Sequence, residues 1–412
     1  MGSDFTRLWS ALHPIGRDSR SGGYRRFAWT STDQELREWF AGECAARGLD
    51  LTEDRAGNQW AWWGDPDTTP GVVIGSHLDS VPDGGAFDGP LGVVSALLAV
   101  DALRAAGVTP DVPIGVVNFV DEEGARFGIA CAGSRLITGA LSPARALALT
   151  DADGTSLADA WRAAGRHPGT LGPDPEALRR VGAFVELHVE QGKALALAPD
   201  GSEDLSDPTR AVAIGTGIWP HGRWRIDIPG EANHAGTTRL EDRHDAMLGL
   251  AGVVQATRTY AAQRGCVATV GKVRVEPGGV NAIASHATAW LDARGADESA
   301  VRATVADIEQ EAASAGATTL EESWTPPTTF DTDLVARLSG ILPDAPHLAT
   351  GAGHDAGILA SHGIPAAMLF VRNPTGVSHS PAERAETSDC EHGVAALTAV
   401  VADLCRRKDD AR

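Results

Sequence analysis

Residues 71–89 constrain the fold of this chain more tightly than any other stretch. An uninterrupted apolar run, Gly71-Val-Val-Ile74, passes directly into Gly75-Ser-His-Leu-Asp79 and then into a glycine-rich turn that ends Phe87-Asp-Gly89. A short apolar run without alternation reads as a buried strand. His77 and Asp79 stand two apart at its end, so their side chains leave on the same face. Asp88 follows eleven residues after His77. An imidazole, a carboxylate placed to hold its second nitrogen, and a further carboxylate make up one side of a metal site. Taken alone, the pair His77 and Asp79 reads equally as an ordinary polar contact at a strand end.

The chain has 412 residues, which predicts two domains rather than one core. Its 35 Lys and Arg against 55 Asp and Glu give a net charge of −20, which argues against nucleic acid or an anionic membrane as the main partner. The most apolar segment, Pro90 to Leu103, contains Asp101 and is too short to span a bilayer. The first residues lack a basic region followed by an apolar stretch, so no signal peptide is expected. Cys44, Cys131, Cys266, Cys390 and Cys405 are widely spaced and odd in number, which predicts reduced thiols and a cytoplasmic location.

Along the chain, Ser31-Thr-Asp-Gln34 reads as a capping box opening a helix to about Arg47. Strands are expected at Gln59–Trp63, Gly71–Ile74, Ile114–Val120 and Ala183–Val189, with a buried helix over Leu91–Ala106. This alternation predicts an α/β fold: a central mixed sheet flanked by helices, with sites at the carboxyl ends of strands. Near residue 213 the pattern changes. A half-exposed strand at Gly222–Ile228, a helix at Arg243–Ala262, strands at Val267–Val275 and His286–Ala293, a helix at Glu298–Ala315 and a strand at Thr318–Trp324 follow in turn. That β-α-β-β-α-β order is a ferredoxin-like α+β unit. Pro326-Pro327 marks the return to the first domain, whose last helix is expected to start behind a second capping box, Ser388-Asp-Cys-Glu391. The expected domains are therefore 1–212 with 327–412, and an insertion at 213–326.

Several strand ends carry reactive side chains. Asp121-Glu122-Glu123 follows a strand of Val and Phe, where adjacent carboxylates repel unless a cation is near. His188 lies inside the apolar strand Glu186-Leu-His188-Val-Glu-Gln-Gly192, and His379 sits in the turn Ser378-His-Ser-Pro381. A solvated acidic loop and a satisfied core histidine would explain them singly. Together, as His, Asp, Glu-Glu, His, His at successive strand ends, they point to a metal centre.

With Ala232-Asn-His-Ala-Gly-Thr-Thr238 added, this set of motifs resembles the M20 metallopeptidase superfamily. The likeness is to its amidase branch, which acts on carbamoyl and ureido groups and includes N-carbamoyl-L-amino-acid hydrolases, allantoate amidohydrolases and β-ureidopropionases. In peptidase relatives an aspartate usually stands at the position of His188. The resemblance implies two divalent ions (Zn, Mn or Co), with His77 and His188 on one, Glu123 and His379 on the other, and Asp88 bridging. It implies Glu122 as general base and Asp79 as the orienter of His77. From the inserted domain, acting as lid and dimerisation element, it implies His234 at the oxyanion, and Asn281 with Arg294 on a substrate carboxylate; Arg294 suits that role through bidentate pairing. Gln191 would lie beside the carbamoyl group. His221, in Gly217-Ile-Trp-Pro-His-Gly, departs from the Gly-Gln-Arg-Arg of allantoate-type members, and is placed with the substrate contacts.

The leading expectation is hydrolysis of a carbamoyl or ureido C–N bond in a small carboxylate-bearing substrate, releasing ammonia and carbon dioxide, by a homodimer. An aminoacylase or dipeptidase is the second reading, opposed by His188, Asn281 and Arg294. A non-catalytic ureido-binding protein is the third, opposed by the complete ligand set and Glu122.

Overall fold

The computed structural model describes residues 4–198 and 200–406. The chain divides into two units: Met1–Thr216 with Thr329–Leu348 and Gly353–Arg412, and Gly217–Thr328 with Ala349–Ala352.

The first unit is built on a mixed sheet. Its order runs Asp50–Glu53, Gln59–Trp63, Ile114–Phe119, Gly71–His77, Val181–Val189, Ala366–Val371, Val212–Ile218, Thr328–Thr329, with His347–Thr350 beside Val212–Ile218. Ile114–Phe119, Gly71–His77, Val181–Val189 and Ala366–Val371 are parallel neighbours, and antiparallel strands flank them. Gly71–His77, Ile114–Phe119 and Ala366–Val371 are buried at every position, as their largely apolar sequences require once helices cover both faces. Pro90–Ala105 is one of those helices. Pro90 at its first position fits the helical φ, and Gly89 precedes it at φ 83°, in the left-handed region. A Cβ at Gly89 would also stand 2.4 Å from the His77 ring, so the turn after Asp88 closes only with glycine there.

Two helix starts differ from the sequence reading. Thr30, not Ser31, caps the helix Ser31–Ala46: its hydroxyl accepts from Asp33 N–H, while the Asp33 carboxylate accepts from Trp29 N–H at 2.9 Å. The helix Thr387–Leu404 begins at Glu386 without a side-chain cap. Ser388 lies within its first turn, and Asp389 turns inward to a bidentate pair with Arg372 at 2.8 and 2.9 Å.

In the second unit four antiparallel strands stand in the order Thr318–Thr325, His221–Pro229, His286–Arg294, Val267–Glu276. Numbered along the chain this is 4-1-3-2, the ferredoxin-like arrangement. Helices Ala246–Gln263 and Glu298–Ser314 cover one face, closing a core of Trp224, Ile226, Leu250, Val253, Val301 and Ile308. Among the described residues no helix is long and apolar enough to cross a membrane.

Candidate metal centre

The carboxyl ends of the parallel strands bring the reactive residues of the first unit together. His77 ends its strand and stands in register with Phe119, after which Asp121 turns the chain at φ 55° and presents Glu122 and Glu123. His188 stands in register with Phe370 on the next parallel pair. The loop after Val371 carries His379, itself at φ 53°.

Two trios result, each able to hold a metal ion: His77, Asp88 and His188, and Asp88, Glu123 and His379. Asp88 belongs to both through different oxygens. Its Oδ1 lies 3.6 Å from His77 Nε2 and 3.1 Å from His188 Nε2, and its Oδ2 lies 3.4 Å from His379 Nε2. His379 Nε2 is in turn 3.6 Å from Glu123 Oε2. Ligands about 2.1 Å from a tetrahedral ion stand about 3.4 Å from one another, the spacing seen here. The second trio is the more open, His379 being 49% exposed.

The ring tautomers also suit a metal. His188 Nδ1 donates to its neighbour Val189 O at 2.8 Å, and His77 Nδ1 faces Asp79 O at 3.2 Å and Asp79 Oδ1 at 3.4 Å. Each Nε2 lone pair is thereby left facing Asp88. His77 Nε2 and His188 Nε2 are buried and have no hydrogen-bond partner, an expensive arrangement unless a cation lies between them and the carboxylate. The donor set, nitrogen and oxygen only, fits a divalent ion such as Zn, Mn or Co.

Asp79 does more than face His77. Its Oδ1 accepts Glu122 N–H at 3.1 Å and its Oδ2 accepts Glu123 N–H at 3.0 Å, so one buried carboxylate fixes both the ring and the acidic turn. Burial, and then the charge of Asp88, push the Glu123 carboxyl up to about 7. Burial likewise pushes Glu122 well above the ordinary carboxylate range, with Asp355, Glu123 and Asp79 adding to it and His77 opposing. Contact with Asp88 raises His379 to about 9. Burial and neighbouring carboxylates thus disfavour the charged forms of Glu122 and Glu123 unless positive charge is brought in beside them.

Gln191 stands at the same place: its Nε2 donates to Asp88 Oδ2 at 2.8 Å and lies 3.4 Å from His379 Nε2, while its Oε1 is buried without a partner. Two residues outside the sequence-derived set also belong here. Glu383 Oε1 accepts the backbone N–H groups of Phe87 and Asp88 at 2.7 and 3.0 Å, and its Oε2 accepts the Ser378 hydroxyl at 3.1 Å. His354 packs its ring 4.5 Å from that of His188, with both ring nitrogens buried and unpartnered. Glu383 was within sight as the fourth residue after His379; His354 carried no local signal.

The remaining predicted residues lie in the second unit. His234 is exposed, and its Nδ1 accepts Gly236 N–H at 2.9 Å, so the neutral ring carries its proton on Nε2 as a free donor. Asn281 is its neighbour, accepting Ala235 N–H at 3.0 Å through its carbonyl. Arg294 and His221 are paired across adjacent strands. Arg294 donates from Nε and Nη2 to Asp292 at 2.6 and 2.8 Å and from Nη1 to Gly351 O at 2.8 Å, leaving two of its five N–H groups. His221 Nδ1 faces Trp219 O at 3.0 Å.

The model of peptidase family M20/M25/M40 matches residues 73–403, which spans the whole of this constellation. The chain belongs to that family. Among M20 relatives it is 37% identical over 423 residues to an N-carbamoyl-L-amino acid amidohydrolase of Geobacillus stearothermophilus, covering 97% of this chain and 98% of the other. It is 31% identical over 415 residues to allantoate amidohydrolase of Escherichia coli (strain K12), covering 96% of each. In three dimensions it is similar to an amidase of the hydantoinase/carbamoylase family from Burkholderia vietnamiensis, with a TM-score of 0.85, 28% identity and 98% of each chain covered. Within M20, these likenesses fall on the amidase side.

Proposed function

We propose that this chain is a metal-dependent amidohydrolase that cleaves a carbamoyl or ureido C–N bond in a small carboxylate-bearing molecule, an N-carbamoyl-L-amino acid or allantoate, with release of ammonia and carbon dioxide. The observation that carries the reading is the sharing of Asp88 between two ligand trios, with Glu122 buried beside them. His77 and His188 would hold one ion, Glu123 and His379 the other, and Asp88 both. Such ions lower the pKa of a water towards neutrality and polarise the scissile carbonyl.

The chain's own residues then divide the remaining work. Glu122 takes a proton from the attacking water and returns it to the leaving nitrogen. Asp79 holds His77 and the Glu122–Glu123 turn in place. Gln191 directs its amide towards the carbamoyl group. His234 Nε2–H is a donor for the developing oxyanion, and Arg294 with Asn281 takes the substrate carboxylate; His221, beside Arg294, contributes to the same subsite. The inserted unit serves as lid and as the surface of a homodimer. Five free cysteines fit a cytoplasmic setting.

The test is ammonia release from N-carbamoyl-L-amino acids, allantoate and dipeptides by protein stripped with EDTA and reconstituted with Zn, Mn or Co. Metal-dependent turnover of one of the first two classes is expected. Turnover of dipeptides alone would replace the proposal with a peptidase, and saturable binding of a ureido acid without turnover would replace it with a binding protein.

A further inference from the structure

Glu122 has a buried neighbour that the proposed reaction has not used. Cys131 Sγ donates to Glu122 Oε1 at 3.4 Å, within the range of a sulfur hydrogen bond, and both side chains are buried, at 2% and 5% exposure. The other carboxylate oxygen points elsewhere: Oε2 lies 3.8 Å from His77 Nε2, on the side of the metal trio. The two oxygens of Glu122 are therefore not equivalent. One is held by a thiol and the other faces the ligands.

The backbone makes this contact deliberate. Cys131 adopts a left-handed conformation, φ 53° and ψ 38°, at the start of the helix Ala132–Thr138. A non-glycine residue there is uncommon and costs energy that the surroundings must offset. They do so with a short ladder back to the acidic turn. Cys131 N–H donates to Glu122 O at 2.5 Å, Ala132 N–H to Asp121 O at 3.0 Å, and Gly133 N–H to Val120 O at 3.0 Å. Ser134 Oγ lies 3.2 Å from Cys131 O and also reaches Asp355 Oδ1, which ties the turn to a second buried carboxyl group. These bonds hold the Cys131 backbone against the acidic turn, and its buried side chain lies against Oε1.

We propose that Cys131 is a positioning residue for Glu122, its S–H holding Oε1 so that Oε2 is the oxygen that takes and returns the proton. The proposal rests on Glu122 being the general base. A carboxylate's terminal torsion is broad, so without a fixed donor the carboxylate plane swings and the effective concentration of an oxygen aimed at the reacting position falls. The thiol is buried among carboxylates, and burial and then the charge of Glu122 push it well above its ordinary value. It stays protonated, and so remains a donor.

The test compares Cys131→Ala, Cys131→Ser and Glu122→Gln, each reconstituted with metal and assayed on the best substrate of the panel above. Cys131→Ala removes the donor and is expected to lower kcat about tenfold, the scale of one hydrogen bond from a weak donor to a charged group, with KM and metal content unchanged. Cys131→Ser restores a donor and is expected to recover kcat to within about threefold of wild type. Should Cys131→Ala not fold, Cys131→Gly suits the left-handed backbone and also lacks the donor, so the same loss is expected of it. Cys131→Ala with kcat within twofold of wild type, or Cys131→Ser as slow as the donor-less variant, overturns the positioning role. Near wild-type turnover by Glu122→Gln instead overturns the reading on which it rests, and does so independently of either cysteine variant.

Discussion

Glu383 Oε1 accepts the backbone N–H of Asp88 at 3.0 Å across 295 residues of sequence. The carboxylate central to both ligand trios is therefore not placed by its own turn alone. It is placed from behind by a residue on the loop that also carries His379. Gly85 belongs to the same contact, since a Cβ there would stand 2.3 Å from the Glu383 carboxyl group.

Loss of Glu383 should loosen the metal centre without removing a ligand. Glu383→Ala leaves the buried N–H of Asp88 unpaired, at a cost of about 1–3 kcal/mol, and the partly buried N–H of Phe87 without this acceptor. Residues that orient metal ligands typically contribute about 10–100-fold to affinity or activity, and a loss in that range is expected. Glu383→Gln retains an acceptor oxygen and should lie close to wild type. Elemental analysis after dialysis against a weak chelator reads the difference, and equal metal retention by Glu383→Ala and wild type would remove Glu383 from this role.

Asp88 itself should behave differently from the other ligands. Its two oxygens serve different trios, so Asp88→Ala should lower occupancy at both positions. His188→Ala belongs to one trio and should weaken mainly that one. The measurement is the number of ions per chain in a metal titration. Two tightly held ions in Asp88→Ala would rule out bridging.

The parts of this architecture that were legible in the sequence are those set by local pattern. The strands expected at Gly71–Ile74 and Ile114–Val120, observed as Gly71–His77 and Ile114–Phe119, announced themselves because strands covered on both faces need no polar alternation. The ferredoxin-like unit was legible because its strands and helices switch period cleanly. Two capping boxes were misread: Thr30 competes with Ser31 one residue away, and Ser388 was displaced by the ion pair that draws Asp389 inward. The helices Ala132–Thr138, Pro143–Leu147, Leu157–Ala163 and Pro175–Arg179 are too short to show a 3.6-residue period. His354 and Cys131 were invisible as site residues, and Glu383 stood in sight only as a sequence neighbour of His379, for one shared reason. Their relation to Asp88, His188 and Glu122 exists only once the strands are assembled.

That displaced cap carries a stability prediction. Arg372 and Asp389 are each 5% exposed at the side chain and pair bidentately, joining the end of the strand Ala366–Val371 to the first turn of the helix Thr387–Leu404. Arg372 also donates to Asp207 O at 3.0 Å. Arg372→Ala leaves a buried carboxylate without its partner and should destabilise the protein by about 3–5 kcal/mol. Arg372→Ala combined with Asp389→Ala removes both charges and should be less harmful than the single change predicts. Urea unfolding followed by circular dichroism reads both, and a single variant as stable as wild type would show the pair to be dispensable.

On the proposed reading, the inserted unit should separate binding from rate. Arg294 arrives already oriented: Asp292 holds its Nε and Nη2, and Gly351 O takes Nη1, so the guanidinium fork is fixed before any substrate arrives and two N–H groups remain to pair with a carboxylate. Such a contact would be present in ground state and transition state alike. Arg294→Ala should therefore raise KM for carboxylate substrates by about 10–100-fold with a smaller effect on kcat, and Arg294→Lys should not rescue it, because a lysine ammonium cannot reproduce the fork. His234 is different. Its Nδ1 is occupied by Gly236 N–H, which leaves Nε2–H free to meet charge that exists only as the carbonyl is attacked. His234→Ala should accordingly lower kcat by about 10²–10³-fold and leave KM nearly unchanged. Steady-state kinetics on matched acid and amide substrates separates the two. Amides lacking the carboxylate that were hydrolysed as well as the acids would end the clamp role of Arg294. A His234→Ala variant that raised KM at unchanged kcat would place that ring on the substrate's ground state instead of its oxyanion.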